Sequence, residues 1–413
     1  MQNRDEIEGA VVLPSGAALA LRNRWGLPVD RAPKLAFMAG PGDAVGSYDQ
    51  WQQGRHDRRV PVLTYAAQFY SLVAALGAQA LIVTATPRQP AQPDPRFRFL
   101  HLPRDSRARG LAWHRAEYDY ARRLTQAITA WAPDASILGG DLKPAAYQGI
   151  ARKGRLFLTL HNGFWSMGQR PRALRHRLRH WALGRALAQA EGAVCTSAEC
   201  ARQFRDLAGM GGAIQTEMPQ ILAAHLAPQR LRTKARRLLY LGRIEADKGI
   251  FDLLDAFAPI AARFEDARLV LAGSGNADGA LRDAIARHPA RARIDFTGLL
   301  DAAGVHDALC AADLLICPTR SSFAEGLALV VLEAAAQGVP SVASSVVPAA
   351  ETAGAACVTY PADDAVALGA TLGRLMAEED SYRALAAQAD RIRPLMLDRS
   401  LGWGSCLARL LIG

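Results

Sequence analysis

The sequence predicts an α/β protein made of two doubly wound domains that face each other across a cleft. Three observations carry this. The chain has 413 residues, enough for two or three domains at roughly 100–200 residues each. Its composition, 50% hydrophobic and 21% charged, is that of a globular protein and not of a disordered one. Short apolar runs alternate with longer amphipathic stretches along most of its length, as in a mostly parallel sheet covered by helices on both faces.

After a charged, mixed leader (residues 1–33), residues 35–38 read as a strand, followed by glycines at 40, 42 and 46. Residues 62–76 read as a helix and 80–84 as a strand. Residues 96–102 alternate with period two, 118–131 are helical, and 136–138, 156–160 and 193–196 are short apolar strands. The second half repeats the grammar more cleanly. Strands at 237–241, 268–272, 293–297, 314–317 and 341–344 alternate with helices at 249–264, 280–287, 302–310 and 327–337. Residues 221–236 read as a linker. The expected domains are therefore 1–225 and 232–395, with a last segment, 396–413, whose Trp403 and residues 407–411 pack back on the first domain. No short-period repeat is present. Ligands of such sheets bind beyond the carboxyl ends of the strands.

Lys and Arg number 49 against 39 Asp and Glu, a net charge of +10 and an isoelectric point near 9.6. Such a surface attracts phosphates, nucleic acid or an acidic membrane face. The cysteines, Cys195, Cys200, Cys310, Cys317, Cys357 and Cys406, form no CxxC pair and fit no zinc spacing. Most lie in apolar patterns, where a thiol behaves as a small hydrophobe. The first eight residues lack the apolar core of a secretory leader, and no apolar run approaches the roughly 20 residues that span a bilayer. The expectation is a cytoplasmic protein, able to lie peripherally on the inner face of a membrane. Lysine occurs only at 34, 143, 153, 234 and 248, so each lysine stands out among the arginines.

The strongest chemical cluster is Gly242, Arg243, Lys248 and Gly249. A strand ends there and the loop runs straight into a helix. Gly242 allows close backbone approach, and two cations reinforce a helix N-terminus that already favours anions, a combination suited to a diphosphate. The plainer reading is two solvated surface cations. A second cluster places Glu325 before a helix and Glu333 near its second turn among apolar residues. An ionised Glu333 is costly there without a partner, and sugar hydroxyls are good partners for a carboxylate. The amides of Gly326, Leu327, Ala328 and Leu329 open the helix and can hold phosphate oxygens. The plainer reading is one surface Glu and one at the edge of the core.

Taken with Ala272-Gly-Ser-Gly275, Phe296-Thr-Gly298, Pro318 and Gly338-Val-Pro340, these residues resemble glycosyltransferase family 4 (glycosyl transferases group 1), retaining enzymes of the GT-B fold with two Rossmann-like domains. The match in order and spacing is firm over 237–345. In the first half it is looser, through Leu160-His161 and Cys195-Thr-Ser197 at strand ends. The resemblance implies transfer of a sugar, of hexosyltransferase type, from a nucleotide-diphosphate sugar with net retention and without metal or other cofactor. It implies that Arg243 and Lys248 neutralise the leaving diphosphate, that Glu325 contacts donor-sugar hydroxyls, and that Glu333 contacts the ribose. Thr297, Gly298 and Leu299 would flank the base, Gly273 and Gly275 would belong to the donor loops, and His161 would lie near the donor sugar. No DxD-like pair stands at a strand end as a hard-cation ligand.

Two departures from the family pattern stand out. Family members commonly carry Gly-Phe-Gly after the first Glu, where this chain has Gly326, Leu327 and Ala328. The usual Gly-Gly of the first-strand loop is replaced by Gly40-Pro-Gly42 with Gly46 beyond, so Gly42 is one candidate among these glycines for ligand approach. The stretch 43–59 reads as an acceptor-side feature.

Rival readings are weaker. Gly273-x-Gly275-x-x-Asp278 approximates a dinucleotide fingerprint but ends in Asp, and Asp295 begins its strand instead of ending it. No strand–Gly-x-Ser-x-Gly–helix elbow exists. His161 precedes Asn162-Gly163, a turn signal on the cleft side. His176, His180, His288 and His306 read as solvated on polar helix faces.

Arg172, Arg175, His176 and Arg179 fall on one helical face, with Leu174, Leu178, Trp181 and Ala182 opposite. The arginines suit an anionic membrane surface. Equally, Leu174, Leu178 and Trp181 fit a core-facing stripe of an ordinary domain helix. No aromatic stacking platform accompanies the charge, so nucleic acid is not expected. The expected function is transfer from a nucleotide sugar to a glycan or lipid-linked acceptor, in bacterial-type polysaccharide or glycolipid assembly. The alternatives are a sugar-nucleotide epimerase of the same architecture and a non-catalytic binding subunit.

Overall fold

Alternate residues of the first strand face opposite ways. In β1 (Lys34–Met38), Leu35 and Phe37 enter one apolar cluster while Ala36 and Met38 enter another. The computed structural model describes residues 10–57, 60–105, 108–209, 212–228 and 232–413. The leader up to residue 9, residues 58–59 of the stretch after Asp43, and residues 229–231 of the expected linker lie outside the described residues.

β2 (Gln79–Thr84), β3 (Phe97–His101), β4 (Ala135–Gly139), β5 (Arg155–Leu160), β6 (Gly192–Cys195) and β7 (Ala213–Thr216) join β1 in a parallel sheet of order β3-β2-β1-β4-β5-β6-β7. A second parallel sheet has the order β10-β9-β8-β11-β12-β13. It comprises β8 (Arg237–Leu241), β9 (Arg268–Ala272), β10 (Ile294–Gly298), β11 (Leu314–Cys317), β12 (Ser341–Ser344) and β13 (Cys357–Tyr360). Both orders reverse direction at one central strand, β1 in the first sheet and β8 in the second. Each reversal opens a crevice at the carboxyl ends of the strands beside it. Both sheets are buried on both faces, which is why their strands read as near-continuous apolar runs.

β7 and β13 were not predicted. Both are edge strands whose residues are largely half-exposed, so neither carries the apolar run that marks a central strand. The helix expected at 118–131 begins at Gly110. Its buried residues, Glu117, Tyr120, Ala121, Leu124 and Ile128, start only at 117, so the first two turns carry no core-facing periodicity. Part of the stretch after Asp43 is a helix, Ala44–Gln52. Asp43 caps it by accepting from the Gly46 amide at 2.8 Å, and Tyr48 is fully buried against Tyr70, Phe97 and Phe99.

The described part of the expected linker is partly packed. Ile221 and Leu222 are buried, and the Arg232 guanidinium donates to the Ala312 and Cys310 carbonyls. The chain then returns. Met396 belongs to the second domain's core, but Trp403, Cys406, Leu407, Leu410 and Leu411 of the helix Trp403–Ile412 lie in the first domain's core. The Trp403 indole donates to Thr159 Oγ1 at 2.8 Å. Each fully buried large side chain contributes about 1.5–3 kcal/mol, so this helix is a structural part of the first domain.

Two histidines expected on solvated faces are buried instead. His288 lies past the helix Asp278–Arg287, where its Nε2 pairs with the Leu254 carbonyl at 3.0 Å. His180 is buried beside Trp165. Helical spacing alone does not report the neighbour that covers a face.

Candidate active site

The loops that follow β8 and β11 meet because these strands are neighbours in the sheet, although their sequences lie far apart. The Lys248 ammonium is 2.5 Å from Glu325 Oε2, and both side chains are mostly buried. Phe323 lies beneath both cations, 3.8 Å from Lys248 Nζ and 5.4 Å from the Arg243 guanidinium, measured to the ring centroid. Arg243 is exposed and pairs with Glu245 at 2.9 Å. Thr319 Oγ1 approaches Glu325 Oε2 at 3.4 Å. The result is a crevice with two cations and a carboxylate at the switch point of the second sheet.

The glycines here have different tasks. A Cβ on Gly249 would strike the Pro318 carbonyl, one on Gly273 the Gly242 carbonyl, and one on Gly275 the Ile244 carbonyl. These three let the loops pack on one another. Gly242 and Gly42 meet no such obstacle: Gly42 has open space, and Gly242 meets the Tyr240 side chain no closer than 3.4 Å. Thr297 and Gly298 end β10, and Leu299 beyond them is exposed.

Glu325 leads into Gly326 and Leu327, which precede the helix Leu329–Ala336. The amides of Gly326, Leu327 and Ala328 donate to no described residue. Ala328 caps this helix at φ 66°, in the left-handed region that costs a side chain about 1–2 kcal/mol. Ala328→Gly is expected to raise unfolding free energy by about 0.5–1 kcal/mol, the relieved strain less the added chain entropy. Equal urea midpoints for variant and parent would show that the loop absorbs no strain. Glu333 is buried in the second turn and makes no ion pair or side-chain hydrogen bond with a described residue. Burial pushes its carboxyl up to about 7.

The first domain closes the other side. A Cβ on Gly326 would collide with the His161 carbonyl oxygen, and Ser197 Oγ donates to the Gly326 carbonyl at 2.8 Å. His161 thus touches the loop after Glu325 through its backbone. Its ring stacks on Tyr65 at 4.3 Å, Nε2 is 2.9 Å from Thr159 Oγ1, and Nδ1 has no partner among the described residues. Burial lowers the His161 pKa to about 4, so the imidazole is neutral near pH 7. Behind it, the Tyr65 hydroxyl donates to Glu217 Oε1 at 2.6 Å, and burial pushes Glu217 up to about 8.

The structure therefore brings together Arg243, Lys248, Glu325, Gly326 and His161, with Glu333 one turn along the helix. Sequence reasoning missed Tyr65, Thr159, Glu217, Thr319 and Phe323, which act on these residues from neighbouring elements. Phe323 stood within the motif with no role that spacing reveals. An Arg202–Glu351 pair at 2.7 Å also bridges the domains, beside an open cavity of about 610 Å³. None of the sequence-predicted site residues lines that cavity.

Comparison with known proteins adds to this geometry. Glycogen synthase of Mycobacterium tuberculosis is 30% identical over 189 residues, which cover 45% of this chain and 44% of that protein. Phosphatidyl-myo-inositol mannosyltransferase of the same species is 38% identical over 112 residues, covering 27% and 28%. The chain thus spans less than half the length of these curated relatives. Among solved structures, Anabaena HepE in complex with UDP covers 89% of this chain and 96% of its own, at 14% identity and TM-score 0.61. Sucrose-phosphate synthase from Thermosynechococcus elongatus covers 92% and 97%, at 17% identity and TM-score 0.64. The chain has the two-domain GT-B fold, and residues 235–378, which carry Arg243, Lys248, Glu325 and Glu333, match the family of glycosyl transferases group 1.

Proposed function

We propose that the protein is a retaining, metal-independent glycosyltransferase of family 4 that moves a hexose from a nucleoside-diphosphate sugar to a glycan or lipid-linked acceptor. One observation carries the reading: Lys248 and Glu325 form a mostly buried pair at the switch point of the second sheet, and beside it stand Arg243 and three amides that have no partner among the described residues. In this reading the donor separates the pair. Its diphosphate takes Lys248, Arg243 and the amides, while its sugar hydroxyls take Glu325. The bond between the anomeric carbon and the diphosphate breaks, the acceptor oxygen bonds to that carbon and passes its proton to the departing diphosphate, and the cations stabilise the leaving group's charge. Glu333 holds the ribose, Thr297, Gly298 and Leu299 flank the base, and the neutral His161 supplies a hydrogen bond near the sugar. Support comes from the family match over 235–378, from the sugar-transferring relatives, and from the UDP-bound neighbour of the same fold.

A thermal-shift panel of nucleoside diphosphates tests the reading, because a ligand of the folded state raises the midpoint by mass action. A shift with one diphosphate, together with slow hydrolysis of its sugar conjugate, is expected. A panel without any shift would remove the donor site. Turnover is expected to persist in EDTA, since Arg243 and Lys248 take the place of a cation. Full loss in EDTA, restored by magnesium or manganese, would overturn metal independence.

A further inference from the structure

The first two turns of the helix Leu174–Leu187 are largely exposed, and Leu174, Leu178 and Trp181 line an open cleft with residues 168–172 and Asp206. The buried residues of this helix are His180, Gly184, Ala186 and Leu187. Gly184 sets this docking, because a Cβ there would collide with the Leu207 carbonyl. Leu174, Leu178 and Trp181 are 69%, 58% and 63% exposed. The reading that turned these three into the core is therefore corrected: the helix presents its apolar stripe to solvent.

A second element does the same. The opening turns of the helix Gly110–Trp131 leave Leu111 82% and Tyr118 56% exposed. The helix Pro144–Ala151 packs against both elements and holds them on one side of the domain. Lys143, just before it, joins the two surfaces. Its ammonium lies 4.4 Å from the Trp113 ring and 5.3 Å from the Tyr118 ring, and burial together with the nearby Arg179 lowers its pKa. Five large exposed apolar residues in one area exceed the scattered single residues normal for a surface.

Charge selects the occupant. The helix Leu174–Leu187 contains no acidic residue, and Arg115, Arg172, Arg175, Arg177 and Arg179 have no carboxylate partner among the described residues. A second copy of this face would set arginine against arginine. Protein interfaces deplete charge at their centre, whereas here a dense basic face of the same helix borders the exposed Leu and Trp stripe. Among the described residues, no helix is long and apolar enough to cross a membrane.

The geometry points to a monotopic docking face for an anionic lipid bilayer: Leu111, Tyr118, Leu174, Leu178 and Trp181 enter the boundary between headgroups and acyl chains, and Arg115, Arg172, Arg175, Arg179 and Lys143 meet lipid phosphates. This goes beyond attraction by three arginines, because apolar insertion through two helices carries the contact. It stands independently of the sugar-transfer reading.

Sedimentation of the full chain with vesicles of phosphatidylcholine and phosphatidylglycerol in equal parts tests it, with pure phosphatidylcholine as the neutral arm. The parent is expected to bind the anionic vesicles at physiological salt. The triple variant Leu174→Ser, Leu178→Ser, Trp181→Ser is expected to partition at least about tenfold more weakly, and the pair Leu111→Ser, Tyr118→Ser to weaken binding in the same direction. The triple Arg172→Gln, Arg175→Gln, Arg179→Gln is expected to lose about fivefold per arginine at low salt, less as salt rises. All these side chains are exposed, so thermal midpoints should match the parent and separate lost binding from misfolding.

Vesicle binding unchanged in the Leu174, Leu178, Trp181 variant would overturn insertion. So would a parent that ignores anionic vesicles, or a dimer in light scattering that this variant dissociates. The nucleoside diphosphate shift, read in the same samples, keeps the two proposals apart. A parent that shifts with nucleotide and leaves vesicles alone fails this proposal only.

Discussion

Lys248→Ala is expected to weaken nucleoside diphosphate binding by about 1.5–3 kcal/mol, as for loss of a charged hydrogen bond, and to lower turnover by about 10²–10³. The structure gives two reasons for the size. Lys248 is held over Phe323 and against Glu325, so its charge is already in place before any ligand arrives. Its removal also leaves Thr319 as the remaining described hydrogen-bond partner of the mostly buried Glu325, adding an uncompensated carboxylate near the incoming phosphates. Calorimetric titration of the diphosphate that shifts the parent measures the first effect. An unchanged dissociation constant would remove Lys248 from the diphosphate site.

Glu217→Gln is expected to stabilise the protein above neutral pH by on the order of 2–4 kcal/mol. Burial raises the folded Glu217 pKa to about 8 from an ordinary value of 4.5, with the Tyr65 hydroxyl bond opposing the rise. The folded state therefore keeps a proton that the unfolded chain releases. The stability tied to this proton is full below about pH 4.5 and is lost as pH climbs to about 8. Glu333, raised to about 7, adds a loss of the same sign. Urea unfolding of parent and variant from pH 5 to 9 reads the difference as a shallower slope in the variant. Parallel slopes would show that Glu217 titrates in the folded protein as it does in the open chain.

Much of the second domain was legible because its strands are central and buried on both faces. Residues 237–241, 268–272 and 314–317 coincide with β8, β9 and β11. Legibility fell where an element is covered on one side or not at all. The edge strands β7 and β13, the opening turns of Gly110–Trp131, and the exposed Leu174, Leu178 and Trp181 all lack a partner on one side. Apolar periodicity records which residues seek burial, and it says nothing when that burial is absent or lies in a different medium.

The site divides in the same way. Arg243, Lys248, Glu325 and Glu333 are local signals, since a loop rich in glycine and charge between strand and helix is visible in a short window. Their chemistry as individual side chains, and the α/β class itself, follow from the sequence alone. Strand order decides that Lys248 meets Glu325, because only the adjacency of β8 and β11 brings the two loops to one crevice. Tertiary packing likewise decides that His161 is a neutral ring over Tyr65, and that Glu217 keeps its proton. Contacts between residues distant in sequence set burial and distance, and those two quantities fix the charge of a buried group and the partner it finds.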